Sequence, residues 1–310
     1  MKILDILTGT VLEAEWNNDF LSICGLNYHG EFYRSENGRF VLSWSDMDEE
    51  GLQSGAREKG LGRYLLIDRD QIVLQGKLER PNDGKVSDQG VFILNDWMFR
   101  GEPTGTFYVF APGGQKLIQH KLHANLDNNG ISSDGQFAVC QTFDSDNEDG
   151  NKLLFFDLSK QELIWKVEPA PGRADKFSFD IESKKLCLLY NNGRTFRYSF
   201  SGVFLDSEKW DKEQLESANG YRLFEIAMEK KEEVESKIAG SAIYNEFISL
   251  MKEALDKGVS EYYQAMAHRE LGEAYQKLGI ITEAIHHYEK AIALNPKIGV
   301  KKLLKSLKQG

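Results

Sequence analysis

Positive charge, cysteine and long apolar runs are all scarce in this chain of 310 residues. Lysine and arginine number 38 against 48 aspartate and glutamate, a formal charge of −10. A general nucleic-acid binder needs a basic face for phosphate contact, so that class is excluded, whereas a basic protein partner fits by complementarity. No stretch approaches the roughly 20 apolar residues that cross a bilayer. The opening run Met1-Lys-Ile-Leu-Asp-Ile-Leu7 contains an acid and no small-residue cleavage site, which argues against a secretory signal. Cys24, Cys140 and Cys187 are odd in number, far apart and outside any CxxC spacing. They read as reduced core thiols, not as a disulfide frame or a zinc site. The expected class is acidic, soluble and cytoplasmic.

Catalytic signatures are missing too. There is no GxSxG, no Ser-His-Asp or Cys-His arrangement, and no GxxxxGK[ST] or GxGxxG phosphate loop. Of the six histidines, His120 and His123 lie at a strand end and its turn, without a matched acid. His286 and His287 are adjacent, so a helix points them to different sides. The acidic run Asp144-Ser-Asp-Asn-Glu-Asp-Gly150 fails the calcium-loop pattern, which needs Gly where Asp149 stands and Glu where Phe155 stands. It reads as a solvated hairpin loop. Ser45 to Gly62 reads as an insertion between strands. Neither an enzyme nor a metal or cofactor site is expected.

The charge is uneven. From Glu208 onward there are 17 acids and 16 bases, a net of −1, which leaves −9 for residues 1–207. Near Asp206, short apolar runs broken by Gly, Asn and Asp give way to long stretches rich in Glu, Lys, Ala and Leu. An all-β domain over 1–207 and a helical domain over 208–310 follow.

The first domain repeats internally. Strand–turn–strand segments run over 2–16, 64–78, 107–122, 153–167 and 195–205. Their equivalent residues Leu12, Leu74, Leu117, Leu163 and Phe204 stand 62, 43, 46 and 41 apart. Between them, Ser35-Glu-Asn-Gly38 and Ser132-Ser-Asp-Gly135 are polar turns leading into β runs, with weaker copies at 88–94 and 182–190. Four strands per unit at roughly 40–50 residues is a propeller period. The pattern resembles β-propeller repeats of the WD40 and quinoprotein-like type, carried by Asp5 to Trp16, Asp157 to Trp165 and the Ser-x-Asp-Gly turn at Ser132. The resemblance implies a small propeller of about five blades, one incomplete, and supplies no cofactor-binding set. An eight-stranded sandwich or barrel is the alternative.

In the second domain, Leu271, Gly272, Tyr275, Gly279, Ala284, Tyr288, Ala291 and Pro296 have the spacing of two helices crossing closely through small residues. Residues 265–298 resemble a tetratricopeptide repeat at each of these places, with His268 departing at the early aromatic position. One such unit cannot bury its own faces. Ile243 to Leu255 reads as the second helix of a degenerate upstream repeat, with Tyr221 to Ser236 as its first helix or a connector, and 298–308 as a cap helix whose four lysines, with Lys297 before them, have no acid among them.

The resemblances imply a non-catalytic protein-interaction scaffold for a protein or peptide partner, with no nucleic acid and no membrane. Met266, Arg269, Glu273 and Gln276 would line the groove of the repeat, and the cluster Trp97 to Arg100 reads as packing between blades, with Trp97 and Arg100 as loop anchors in the alternative. Arg269 and Glu273, four residues apart, have mutual pairing as an equal alternative. Two other functions compete. One is a bacterial immunity protein neutralising a basic toxin. The other is a propeller hydrolase of the lactonase or glycosidase kind, which requires inward acids or histidines at one repeated place, and the aligned apolar strands show none.

Overall fold

Leu153-Leu-Phe-Phe156 is apolar at every position and Phe40-Val-Leu-Ser-Trp44 at all but Ser43, as expected of a strand whose two faces are both covered. In the computed structural model, which describes residues 1–48, 50–51, 53–98, 104–236 and 241–309, each of these runs is such a strand. Contacts divide the chain into two units, Met1–Ser207 and Glu208–Gly310.

Seven strands open the first unit: β1 (Lys2–Asp5), β2 (Thr10–Asn17), β3 (Phe20–Ile23), β4 (Tyr28–Arg34), β5 (Phe40–Ser45), β6 (Gly62–Asp68) and β7 (Gln71–Leu78). They pair antiparallel in order, and β1 closes the ring in parallel on β7, with Leu4 beside Gln71 and Asp5 beside Ile72. Ile3, Leu21, Ile23, Val41, Leu65, Ile67 and Ile72 fill the interior. The other face of β5 and β6, formed by Phe40, Leu42, Trp44, Tyr64 and Leu66, packs against the next sheet.

That sheet holds β8 (Pro81–Val86), β9 (Phe92–Asp96), β10 (Gly105–Phe110) and β11 (Lys116–Leu122). A third sheet of β12 (Leu126–Ile131), β13 (Phe137–Thr142), β14 (Leu153–Asp157) and β15 (Glu162–Val167) covers its far side through Ile93, Phe107, Ala138, Cys140 and Leu154. The last sheet, β16 (Lys176–Asp180), β17 (Lys185–Leu189) and β18 (Thr195–Ser199), packs on the third through Leu186, Leu188 and Tyr198. Each large side chain buried in these layers contributes about 1.5–3 kcal/mol.

The repeated polar turns have a mechanical reason. Ser35 Oγ accepts the amide of Phe40 at 3.0 Å, and Ser132 Oγ accepts that of Phe137 at 2.9 Å. Gly38 and Gly135 take φ of 73° and 71°, where a side chain would be strained. The turns also bond to one another across sheets: the Asn37 amide donates to Asp88 Oδ1 at 2.8 Å, and the Asp88 amide to Ser133 O at 2.9 Å.

The sheet count differs from about five blades. The hairpin over 2–16 founds no sheet of its own, because β3 pairs with β4 and β1 with β7, and its spacing of 62 was the outlier. The incomplete sheet is the last one, whose fourth strand is reduced to the bridge between Tyr198 and Phe204.

The second unit contains α1 (Ser207–Ser217), α2 (Gly220–Ser236), α3 (Ser241–Lys257), α4 (Glu261–Lys277), α5 (Ile281–Leu294) and α6 (Lys301–Leu307). α2 packs on α3 and α4 on α5, and these two pairs share a core that includes Leu223, Phe247, Met251, Leu271 and Tyr288. Ala284 and Ala291 are fully buried, as their small size at a close crossing predicts. α6 caps the end, with Leu304 and Leu307 turned to the core and Leu303 exposed. Gly279, at φ 74°, ends α4: its amide returns to Gln276 O, and that of Ile280 to Tyr275 O.

At Gly272 a β-carbon would lie 2.6 Å from the ring of Tyr288. Alanine is intrinsically better than glycine inside a helix by about 1 kcal/mol. Gly272→Ala should nevertheless destabilise the helical unit by about 1–3 kcal/mol through overpacking, read from urea unfolding followed by helical circular dichroism; a stabilised variant would refute the crossing.

Candidate protein-binding groove

α2 and α4 lie side by side as the first helices of their pairs, and the groove between them is built from two stripes of α2. Tyr221, Phe224 and Met228 recur at helical spacing and form an apolar stripe, joined from α4 by Tyr263. Beside it, Glu225, Glu229 and Glu232 form an acidic stripe. The open volume is about 480 Å³. Tyr263 stands edge-on to Tyr221 and Phe224, with ring centroids 5.2 Å and 5.3 Å away. Tyr262, 62% exposed, extends the cluster outward. The Tyr221 hydroxyl accepts the Ser260 amide at 3.1 Å, which holds the ring at the head of α4. Arg222 reaches Glu225 at 3.1 Å and Glu229 at 3.5 Å. Glu232 has no ion pair among the described residues.

The four α4 residues expected to line a groove share one helix but are mostly engaged within the protein. Met266 packs against the core. Arg269 bonds its neighbour Glu270, with Nε at 2.9 Å from Oε1, and lies 3.9 Å from Glu273. Glu273 in turn accepts Lys231 Nζ of α2 at 3.0 Å, and Gln276 Oε1 accepts the Tyr288 hydroxyl at 2.9 Å. Lys231 also bonds Glu270, which is 1% exposed. Burial alone would lower the Lys231 ammonium, but its bonds to Glu270 and Glu273 outweigh that and hold its pKa above the ordinary value. The sequence hid this pair, because Lys231 lies in a charged run that reads as solvated.

Trp97 is no exposed anchor. Its indole Nε1 donates to Leu126 O at 2.7 Å, joining the second sheet to the third. Arg100 lies outside the described residues.

His287 is a core histidine, and it forms a pair with His268 that their spacing in sequence does not signal. His287 is buried on α5, and its Nδ1 meets Nδ1 of His268 at 2.9 Å, so one ring donates and the other accepts. Tyr275 stacks on His287 with centroids 5.4 Å apart. His268 occupies the place where the repeat pattern has an aromatic, and that was the available signal. Burial first, then Lys290 and His286 in the case of His268, and His268 and His286 in the case of His287, push both pKa values down to about 4.

In the β unit, β4 of the ring and the first strands of the next two sheets do carry acids that the aligned apolar strands lacked: Glu31 on β4, Asp83 on β8 and Asp127 on β12. Burial, then Asp83, raises the pKa of Glu31; burial, outweighing the opposing pull of Arg173 and Gln141, raises that of Asp127. They do not share one repeated place, since Glu31 stands opposite Trp44, Asp83 opposite Asn95, and Asp127 lies in a bulge. Lys85 holds Asp83 at 2.6 Å, and Gln141 holds Asp127 at 3.0 Å. Among the described residues no three His, Cys, Asp or Glu side chains are grouped to hold a metal. In the acidic loop, Asp149 is bound to Lys166 and to the His123 amide. The insertion after β5 is pinned by Arg57, which is 5% exposed and reaches Asp46 at 2.7 Å and Glu79 O at 2.8 Å.

The tetratricopeptide repeat family model matches residues 265–298. No curated protein matches the chain. Among solved structures, it is similar to the β-propeller domain of Cps50 (Swd1) from Myceliophteria thermophila, with 12% identity and a TM-score of 0.35. That similarity covers 59% of this chain and 63% of the other.

Lys231→Met should cost about 3 kcal/mol in urea unfolding, since it strands Glu270 with less compensation; an unchanged midpoint would show that Arg269 alone satisfies it. The histidine pair sets a pH window. Both pKa values are depressed below the ordinary 6.5, so the unfolded chain takes up protons that the folded one refuses. The stability they supply is complete above about pH 6.5 and falls toward about pH 4. The helical melting midpoint should therefore drop on acidification across that window, and His268→Phe should flatten the drop.

Proposed function

We propose that this chain is a non-catalytic, cytoplasmic protein-interaction protein whose α2–α4 groove receives a segment of a protein partner. The observation that carries this reading is the groove itself: Tyr221 and Tyr262 present aromatic surface that the core does not use, backed by Tyr263, which packs on the core. Tyrosine is suited to that task, because it offers large contact area at low conformational cost together with a hydroxyl. The helices that hold these rings are fixed by the buried Lys231–Glu270 pair, so little ordering is left to be done on binding.

Tetratricopeptide and propeller folds commonly serve as interaction scaffolds, and the repeat match supports the reading at that general level. The displaced titratable groups also support it. His268 and His287 are engaged with each other, Tyr288 with Gln276, and Asp127 with Gln141. None of these four is free to act as general acid or base. The cytoplasmic assignment rests on three unpaired cysteines. No described helix is long and apolar enough to cross a membrane.

A photo-crosslinking residue placed at Tyr262 of the full chain should yield a discrete protein adduct in host cells. The same residue at Lys212, exposed on α1, should yield none, and Tyr221→Ala with Tyr263→Ala should abolish the Tyr262 adduct. Equal adducts from both positions, or none from Tyr262, would refute the groove as the docking site.

A further inference from the structure

We propose that the groove selects a cationic segment: a stretch of the partner chain carrying two lysines or arginines beside an apolar or aromatic residue. The inference rests on the reading of the groove as a docking site and adds the chemistry of what docks there.

Charge is the first argument. Three carboxylates line the groove against one guanidinium, that of Arg222, which leaves an excess of two negative charges. Arg222 is shared between Glu225 and Glu229, and Glu232 stands free among the described residues at the far end. Lys231 does not relieve this excess, because its ammonium is already bound to Glu270 and Glu273 of α4. A like-charged segment would be repelled along the whole length, and a neutral one would strip water from Glu232 without replacing it.

The aromatic stripe is the second argument. Exposed Tyr221 and half-buried Tyr263, seated on the buried Phe224, run alongside the carboxylates, and aromatic faces attract lysine and guanidinium groups in addition to accepting apolar side chains. A lysine stem can lie on the rings while its ammonium reaches a carboxylate. An acidic partner has no use for that combination.

Spacing sharpens the class. Glu225 and Glu232 are seven residues apart on one helix, about 10 Å along its axis. In an extended chain about 10 Å is three residues, so the two cations belong at i and i+3 of an extended segment, with the apolar residue between them.

Fluorescence anisotropy on the full chain tests this with three labelled synthetic peptides. One carries lysines at i and i+3 around a phenylalanine and a leucine; the second has glutamates for the lysines; the third keeps the lysines and replaces the apolar residues with glycine. The first should bind, and the second and third should bind at least about tenfold more weakly. Joint Glu225→Lys, Glu229→Lys and Glu232→Lys should weaken the first by at least about tenfold. The same net change on α3, through Glu246→Lys, Glu253→Lys and Asp256→Lys, should leave it within about twofold, which separates the groove from bulk charge. Equal binding of the lysine and glutamate peptides, or equal loss from both charge reversals, would overturn the proposal. So would self-association of the chain abolished by the groove reversals alone, since a second copy, through its lysine-rich α6, would then be the occupant. A Tyr262 adduct whose crosslinked segment is acidic would overturn this inference while leaving the docking site standing; absence of any adduct would remove both.

Discussion

A sheet whose two faces are both apolar cannot end in water, and the architecture of residues 1–207 follows from that constraint. β5 and β6 turn Val41, Leu65 and Ile67 into the closed ring and Phe40, Leu42 and Leu66 outward, so a second sheet must cover them. The second sheet repeats the problem with Ile93 and Phe107, and the third solves it. The series ends where the strand pattern itself changes: β16 alternates exposed and half-buried residues and needs no further layer. The polar turns at Ser35 and Ser132 are the registration devices of this stack. Their side-chain bonds shape each turn, and the bonds through Asp88 tie neighbouring turns together.

The helical unit meets the same requirement with different means. Small residues let α4 and α5 approach until Tyr288 lies against Gly272, and the upstream pair supplies the apolar surface that one repeat lacks. Between the first helices of the two pairs the match is not fully apolar. Lys231, Glu270, Glu273 and Arg269 form a compensated network there, and such a network specifies register because any slip strands a charge. The groove lies nearer the start of α2, where Tyr221 and Phe224 meet Tyr263 of α4 and apolar and acidic stripes run side by side. Fold and candidate function are thus two uses of one helix.

Much of the fold was legible in the residues. The recurring hairpins, the polar turns and the tetratricopeptide spacing are local signals, and the structure has strands, turns and helices at those places. The first strands of the sheets were not legible, because Pro81 to Val86 and Leu126 to Ile131 are polar and bulged where they face the middle of the unit. The groove was legible only in part. The sequence directs attention to the repeat, but Arg269, Glu273 and Gln276 are drawn to partners far away in the chain, while Tyr221, Glu225 and Glu232 sit in a helix with no recognisable repeat pattern.

The sequence by itself determined periodicity: which stretches become strands or helices, where the chain changes from one to the other near Asp206, and that its negative charge resides in the first part. These depend on neighbours a few residues apart, and local sterics and apolar spacing suffice. Closure and pairing were decided only in three dimensions. The parallel contact that joins β1 to β7, the meeting of His268 with His287 and the burial of Lys231 on Glu270 each unite groups whose separation in sequence carries no signal. Their energies depend on what surrounds them once packed, since an ammonium in water and one enclosed between two carboxylates are chemically different groups.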